Sequence, residues 1–222
     1  MEFYESEEER VEALKKWWKD NSNSVFTGLA VGLAVLAGWN AWQRNQHQKS
    51  EEASGLYQQL LRAVDAQQAE PAIKLSERII EQHQGTAYAT YATLFEARLK
   101  VEAGDLAGAK KVLGDLLAST KDENIQHLAR LRLGQVLLGL GEADAALKLL
   151  EPLKPRDMAK YESQYEELKG DLYASQHRSS EALAAYSRAK ETGETAPLLE
   201  LKINNLAVEP VAPSTPAPAA AP

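Results

Sequence analysis

The side chains best suited to metal or proton chemistry in this 222-residue chain are four histidines, His47, His83, His127 and His177, and a large set of carboxylates. Metal ligation and general acid–base work need such groups gathered, either one helical turn apart or facing across a cleft. The histidines lie 36 to 50 residues apart in sequence. Each is read as a solvated helical side chain with no partner at ligand spacing. Pairs such as Glu166-Glu167 fall where exposed helix faces want acids, and they too are read as solvated surface. Cysteine is absent, which removes disulfides, thiolate metal sites and cysteine nucleophiles. No GxSxG turn, P-loop, GxGxxG or HExxH occurs. The expectation is a chain with no catalytic residue, no cofactor and no metal.

Charge narrows the partners. The net charge of −7 is spread along the chain, and such a surface repels a phosphate backbone, so nucleic acid is excluded as a partner. One set of basic residues, Arg98, Lys100, Arg130, Arg132 and Lys169, falls on the first helices of the helix pairs described next. These five are the candidate groove residues: a basic track for an extended or acidic peptide, or ordinary charge alternation.

From about residue 50 to 190 the apolar pattern is helical throughout and repeats. "LRLGQVLLGLGEADAALKLLEPL" from Leu131 aligns without gaps on "ELKGDLYASQHRSSEALAAYSRA" from Glu167, and looser copies precede them. Four alanines, Ala72, Ala109, Ala146 and Ala182, recur 37, 37 and 36 residues apart. A helix pair needs a tight turn, found at Gly104, Gly141 and His177, and small residues where its helices cross. Ala97, Gly134 and Gly170, facing the repeated alanines, meet the second need. This is tetratricopeptide logic stretched by two or three residues, and it predicts an α-solenoid of about four helix pairs with a concave groove lined by the first helix of each pair. "LLELKINNL", residues 198–206, is expected to cap the stack. "PVAPSTPAPAAAP" then holds five prolines in 13 residues and reads as an extended, disordered tail.

One segment breaks the soluble pattern. "VFTGLAVGLAVLAGWNAW", residues 25–42, carries no charge, although charged residues make up 26% of the chain. Eighteen helical residues rise about 27 Å, close to the roughly 30 Å core of a bilayer. Trp17 and Trp18 stand before it, and Trp39 and Trp42 at its far end, as interfacial anchors. Val35-Leu36-Ala37 could be read as a signal cleavage site, but the preceding region is long and rich in Glu rather than short and basic, which favours an uncleaved anchor. Arg10, Lys15, Lys16 and Lys19 precede the span while only Arg44 and Lys49 follow it closely, so the amino terminus is expected in the cytoplasm. Gly28 and Gly32 form a GxxxG, extended by Ala34 and Gly38 at a four-residue step. Either this is a stripe for another membrane helix, or small residues are simply common in spans. Val11, Leu14 and Trp18 beside three lysines suit a helix lying on the inner membrane surface, or a plain stop-transfer flank. The expected organisation is an arm at 1–23, a transmembrane helix at 24–43, a repeat domain at 44–208 and the tail at 209–222, all-α.

The ends of the chain add a resemblance. "MEFYESEEERVEALKKWWKDN", the glycine-rich span ending "GWNAW", "TKDEN" at 120–124 and "KINNLA" at 202–207 resemble the ancillary subunit of the bacterial Sec translocon, a single-span inner-membrane protein with a tetratricopeptide-like periplasmic domain. The proline-alanine tail departs from that pattern. The resemblance implies a non-catalytic protein that associates with the translocon and with a membrane-anchored, parvulin-like periplasmic chaperone. It implies a role in passing unfolded secreted proteins from the channel to periplasmic chaperones. The alternative is a scaffold for envelope assembly or division, with the arm regulatory.

Overall fold

The computed structural model describes residues 7–151, 153, 159–193 and 197–208. The tail expected at 209–222 and the first six residues of the arm lie outside them. The chain divides into two compact units, one up to Gly55 and one from Leu56 on. Helix α1, Glu7–Asp65, runs through both.

In the first unit α1 is solvent-facing along its apolar length. Phe26, Leu29, Val31, Leu33, Val35 and Leu36 are all exposed, Leu33 by 59%. Among the described residues α1 is the one helix long and apolar enough to cross a membrane, and none of its apolar window is buried. A core helix of a soluble domain would hide such a face. The arm residues from Glu7 on belong to the same helix, and Trp18 meets Phe26 edge-on at 5.9 Å between ring centroids.

The second unit is a stack of antiparallel helices. After the end of α1 come α2 (Ala69–Gln82), α3 (Ala87–Glu102), α4 (Leu106–Ser119), α5 (Glu123–Gly139), α6 (Ala143–Leu150), a 3₁₀ turn (Ala159–Tyr161), α7 (Glu162–Ser175), α8 (Ser179–Thr192) and α9 (Pro197–Val208). No strand occurs among the described residues. The first pair is α1 with α2, and the others are α3 with α4, α5 with α6, and α7 with α8.

All four pairs turn the same corner. Gln67, Gly104, Gly141 and His177 have φ of +56, +80, +74 and +59°, and each stands five residues before one of the repeated alanines. Each donates its N–H to the carbonyl three residues back, Val64, Val101, Leu138 and Ala174, at 2.9–3.0 Å. The next N–H reaches five residues back, from Gln68 to Ala63, Asp105 to Lys100, Glu142 to Leu137 and Arg178 to Tyr173. These two bonds satisfy carbonyls that a helix end leaves orphaned. The first pair, whose sequence copy is loose, has the same corner with Gln in the left-handed position.

Between pairs, side chains start the next helix. Thr86 accepts from the Ala89 N–H at 3.2 Å, and Asp122 accepts from Asn124 and Ile125. Within the second pair Asp105 caps α4 through the Gly108 N–H at 2.8 Å. A methyl on Gly108 would sit 2.1 Å from that carboxylate, so a larger residue there would have to turn the Asp105 side chain aside.

The repeated alanines Ala72, Ala109, Ala146 and Ala182 are fully buried. The atoms nearest to two of the glycines expected to face them belong to larger side chains. A Cβ on Gly134 would lie 2.7 Å from Leu168 of the next pair, and one on Gly170 would lie 2.3 Å from the Tyr186 ring. Each glycine makes room for a big side chain on a facing helix. One apolar cluster joins α1, α2 and α3, another runs from α3 to α7, and a third joins α8 to α9.

Helix α9 ends the stack. Leu199 is buried against Ala182, Tyr186 and Ala189, with Ile203 and Leu206 beside it. Lys202 donates to Glu167 at 2.8 Å and to Asp171 at 2.8 Å, and Asp171 also accepts from the Tyr186 hydroxyl at 2.7 Å. Burial alone would lower the Lys202 ammonium, but the two carboxylates outweigh it and hold its pKa above the ordinary lysine value.

Candidate functional site

The second unit carries a groove of about 740 Å³. On α3 its lining is Tyr91, Leu94, Phe95, Arg98, Val101 and Glu102, a single face at helical spacing. On α5 the corresponding face supplies Leu128, Arg132, Gln135, Val136 and Gly139. Tyr57 of α1 closes one side and Leu106 and Leu113 of α4 lie beneath. The walls are thus first helices of successive pairs.

Its chemistry is aromatic and apolar. Tyr57 packs on Tyr88, Tyr91 and Phe95, with ring centroids 5.6, 6.2 and 5.9 Å away. Tyr91 keeps 45% and Val101 41% of its surface exposed, an unusual amount of apolar area to offer water. Burial, and then the neighbouring Tyr91, push the Tyr57 phenol above its ordinary pKa, so it remains a neutral donor. Two guanidinium groups stand in the lining. Arg98 donates to Glu102 at 2.7 Å, whereas Arg132 donates to the amide oxygen of Gln135 at 3.0 Å and has no carboxylate partner among the described residues.

Of the five basic residues expected to form a track, the lining contains Arg98 and Arg132. Lys100 has 19% of its side chain exposed and lies 3.4 Å from Glu96. Arg130 is half-buried beside the Tyr165 phenol. Lys169 donates to Glu166 at 2.6 Å and lines a separate polar cleft with Arg178 and Arg188. These three cations serve neighbours inside the stack. The aromatic wall of Tyr57, Tyr91 and Phe95 is absent from the sequence reading, which followed charge. Its signal was present as Tyr91, Phe95, Arg98 and Glu102 stepping along one helical face.

Other expectations change as well. His83 is 5% exposed, and its Nδ1 has no hydrogen-bond partner. His127 stacks on Tyr161 at 4.8 Å, with its Nδ1 2.9 Å from the Tyr165 hydroxyl. His47 has an acid one turn on, Glu51, at 3.3 Å, and His177 sits at a left-handed corner. Glu166 is not solvated surface: it is buried and accepts from Lys169 and from Arg188 at 2.7 Å, while Glu167 holds Lys202. Glu96 is buried, and desolvation raises its carboxyl above the ordinary value despite Lys100. Among the described residues no three His, Asp or Glu gather in a way that could hold a metal.

On α1, a Cβ at Gly28, Gly32 or Gly38 would meet nothing within 4 Å, and Trp17, Trp18, Trp39 and Trp42 are all about half exposed. Ala34 is exposed too. A 100° step per residue puts Ala34 and Gly38 roughly 120° round the helix from Gly28 and Gly32. The small residues make two short patches, not one continuous stripe.

Comparison with known proteins agrees along nearly the whole chain. The family model for a tetratricopeptide repeat-like domain matches residues 15–208. A protein of Escherichia coli named ancillary SecYEG translocon subunit is 31% identical over 94% of this chain and all of its own length. Proteins of the same name from Haemophilus influenzae and Neisseria gonorrhoeae are each 30% identical, over 93% and 90% of this chain and 100% and 97% of their own lengths. From its opening helix to the cap of the repeat stack, the chain belongs to the family of ancillary SecYEG translocon subunits, built on a tetratricopeptide repeat-like domain.

Proposed function

We propose that this chain is a membrane-tethered, non-catalytic interaction subunit of the Sec translocon. The uncharged band of α1 crosses the inner membrane once, with the arm in the cytoplasm and the repeat stack in the periplasm. Gly28 and Gly32, with Ala34 and Gly38, give the span close-packing patches for a channel helix, and the four tryptophans hold it at the two interfaces. The stack works beside the channel exit, where the tether raises its effective concentration. Its groove takes apolar segments of emerging, still unfolded secreted proteins and passes them to periplasmic chaperones, including a membrane-anchored one of the parvulin-like type.

The observation that carries this reading is the wholly exposed apolar band, in a chain that matches translocon subunits over their full length. Lipid is the solvent in which such a face costs nothing. The groove supports the client role: an aromatic wall with few charges suits apolar segments of varied sequence, and no reaction needs to occur there.

Topology mapping tests the proposal. A compartment-sensitive reporter fused after Leu206 is expected to be active outside the cytoplasm, with the chain resisting alkaline carbonate extraction. A cytoplasmic reporter, or a mature chain beginning beyond Ala37, would overturn it. Gly28→Leu with Gly32→Leu is expected to weaken co-purification with the translocon; unchanged recovery removes the packing role of those glycines.

A further inference from the structure

The groove of the proposed client site has the chemistry of a polyproline receptor, and the chain carries a proline-rich segment at 210–222. Recognition of this type sets prolyl rings against closely spaced aromatic faces; because proline presets the extended helix, little entropy is lost on docking. Tyr91 and Phe95 set two such faces 6.2 and 5.9 Å from the ring of Tyr57, and Tyr91 is 45% exposed. Residues 210–222 hold five prolines, five alanines and a valine, with no charge to desolvate and no bulky side chain to exclude.

Position and reach agree. Helix α9, from which the tail departs after Val208, is fixed by Lys202 to Glu167 and Asp171 of α7. In repeat register these two residues correspond to Leu94 and Arg98, which line the groove on α3. The cap therefore grips the continuation of the groove-lining face. The 14 residues from Glu209 to Pro222 extend about 43 Å as polyproline II. The stack is only four first helices wide, about 10 Å apart, so the tail can reach the aromatic wall from its own cap.

We propose that the segment 209–222 docks in the α1–α3–α5 groove of its own chain, as an extended proline helix on Tyr57, Tyr91 and Phe95, and competes there with client segments. This rests on the client-site reading of the groove and adds its regulation. A tethered ligand sees an effective concentration in the millimolar range, so a weak contact suffices to occupy the groove when no client is near. A client must displace the tail, which sets a lower limit on the affinity that earns entry.

The test is photocrosslinking in the full-length, vesicle-reconstituted protein, with Tyr91→p-benzoylphenylalanine as the groove probe and the same substitution at the exposed Glu81 of α2 as a control. Trypsin leaves residues 79–98 and 203–222 as intact peptides, because no Lys or Arg interrupts either. The expected product joins these two peptides at position 91, forms within one chain in a mixture of light and heavy isotope-labelled protein, and falls several-fold when the five prolines are changed to serine. Removing 209–222 is expected to raise capture of an added unfolded probe, reduced and carboxymethylated α-lactalbumin, by about threefold. A light–heavy product in place of the single-chain one overturns the proposal. If the tail product is absent while the unfolded probe still crosslinks at position 91, the tail's docking is overturned and the client site stands. If neither forms, both fall.

Discussion

The band of α1 and the repeat stack draw on the same alphabet of alanine, leucine and glycine, yet they treat it in opposite ways. In the stack Ala72, Ala109, Ala146 and Ala182 are sealed, and Leu60, Leu113, Leu150 and Leu172 are fully buried with them. In the band Leu29, Leu33 and Leu36 are each more than half exposed. In the stack these buried side chains meet faces on neighbouring helices, because each pair is too thin to bury its own. The band has no such neighbour among the described residues. A helix's hydrophobicity therefore does not fix its fate; the partner does, and in the proposed topology one partner is protein and the other is lipid.

The largest effect that would break this contrast is charge in the band. Val31→Arg with Leu33→Arg is expected to cost about 5–7 kcal/mol of membrane insertion, at about 2.5–3.5 kcal/mol per central charge. The readout is loss of the chain from the carbonate-resistant fraction while the repeat domain still melts normally. Next is a matched deletion: Leu172→Ala should destabilise the stack by about 3 kcal/mol in urea unfolding, whereas Leu33→Ala should leave that midpoint unchanged. Equal sensitivity at the two leucines would refute the division into two environments. Gly170→Ala drives a methyl into the Tyr186 ring and should cost about 1–3 kcal/mol; Gly28→Ala, in open space, should cost the stack nothing.

Smaller effects distinguish one pair from another. Gly141→Ala forces a side chain into a left-handed corner and should cost about 1 kcal/mol. His177→Gly relieves the same strain, with a gain below about 1 kcal/mol because glycine is freer in the unfolded chain. Differential scanning calorimetry reads both. The smallest effect concerns Glu96. Its folded pKa is raised by burial, so its contribution favours the fold below the unfolded pKa and is lost as pH rises through the folded one. Glu96→Gln is expected to flatten the stability curve as pH rises above about 4.5, where an ordinary glutamate titrates.

The repeat architecture was legible because its signals are backbone-level and periodic. The spacing of the alanines marks where two helices touch, and the glycines at 104 and 141 mark the corners. The corner at Gln67 stayed hidden because nothing in glutamine announces a left-handed residue; the neighbouring geometry imposes it. The candidate site was read less well. Charge drew attention to Lys100, Arg130 and Lys169, which spend themselves on Glu96, Tyr165 and Glu166 inside the stack. Whether a cation faces a groove or a neighbour depends on rotation about the helix and on the side chains of the next element, which a linear pattern does not contain. The burial of Glu166 went unread for the same reason: its two partners come from different helices.

The uniform corner has one last implication. Because two main-chain amides and two carbonyls define it, and glycine, glutamine and histidine all serve, the joint between helices places little demand on which letter is written there. Duplicated hairpins are therefore free to drift apart at their most conspicuous position and still dock in phase, until a lone methyl group five residues on is the last readable trace of common design.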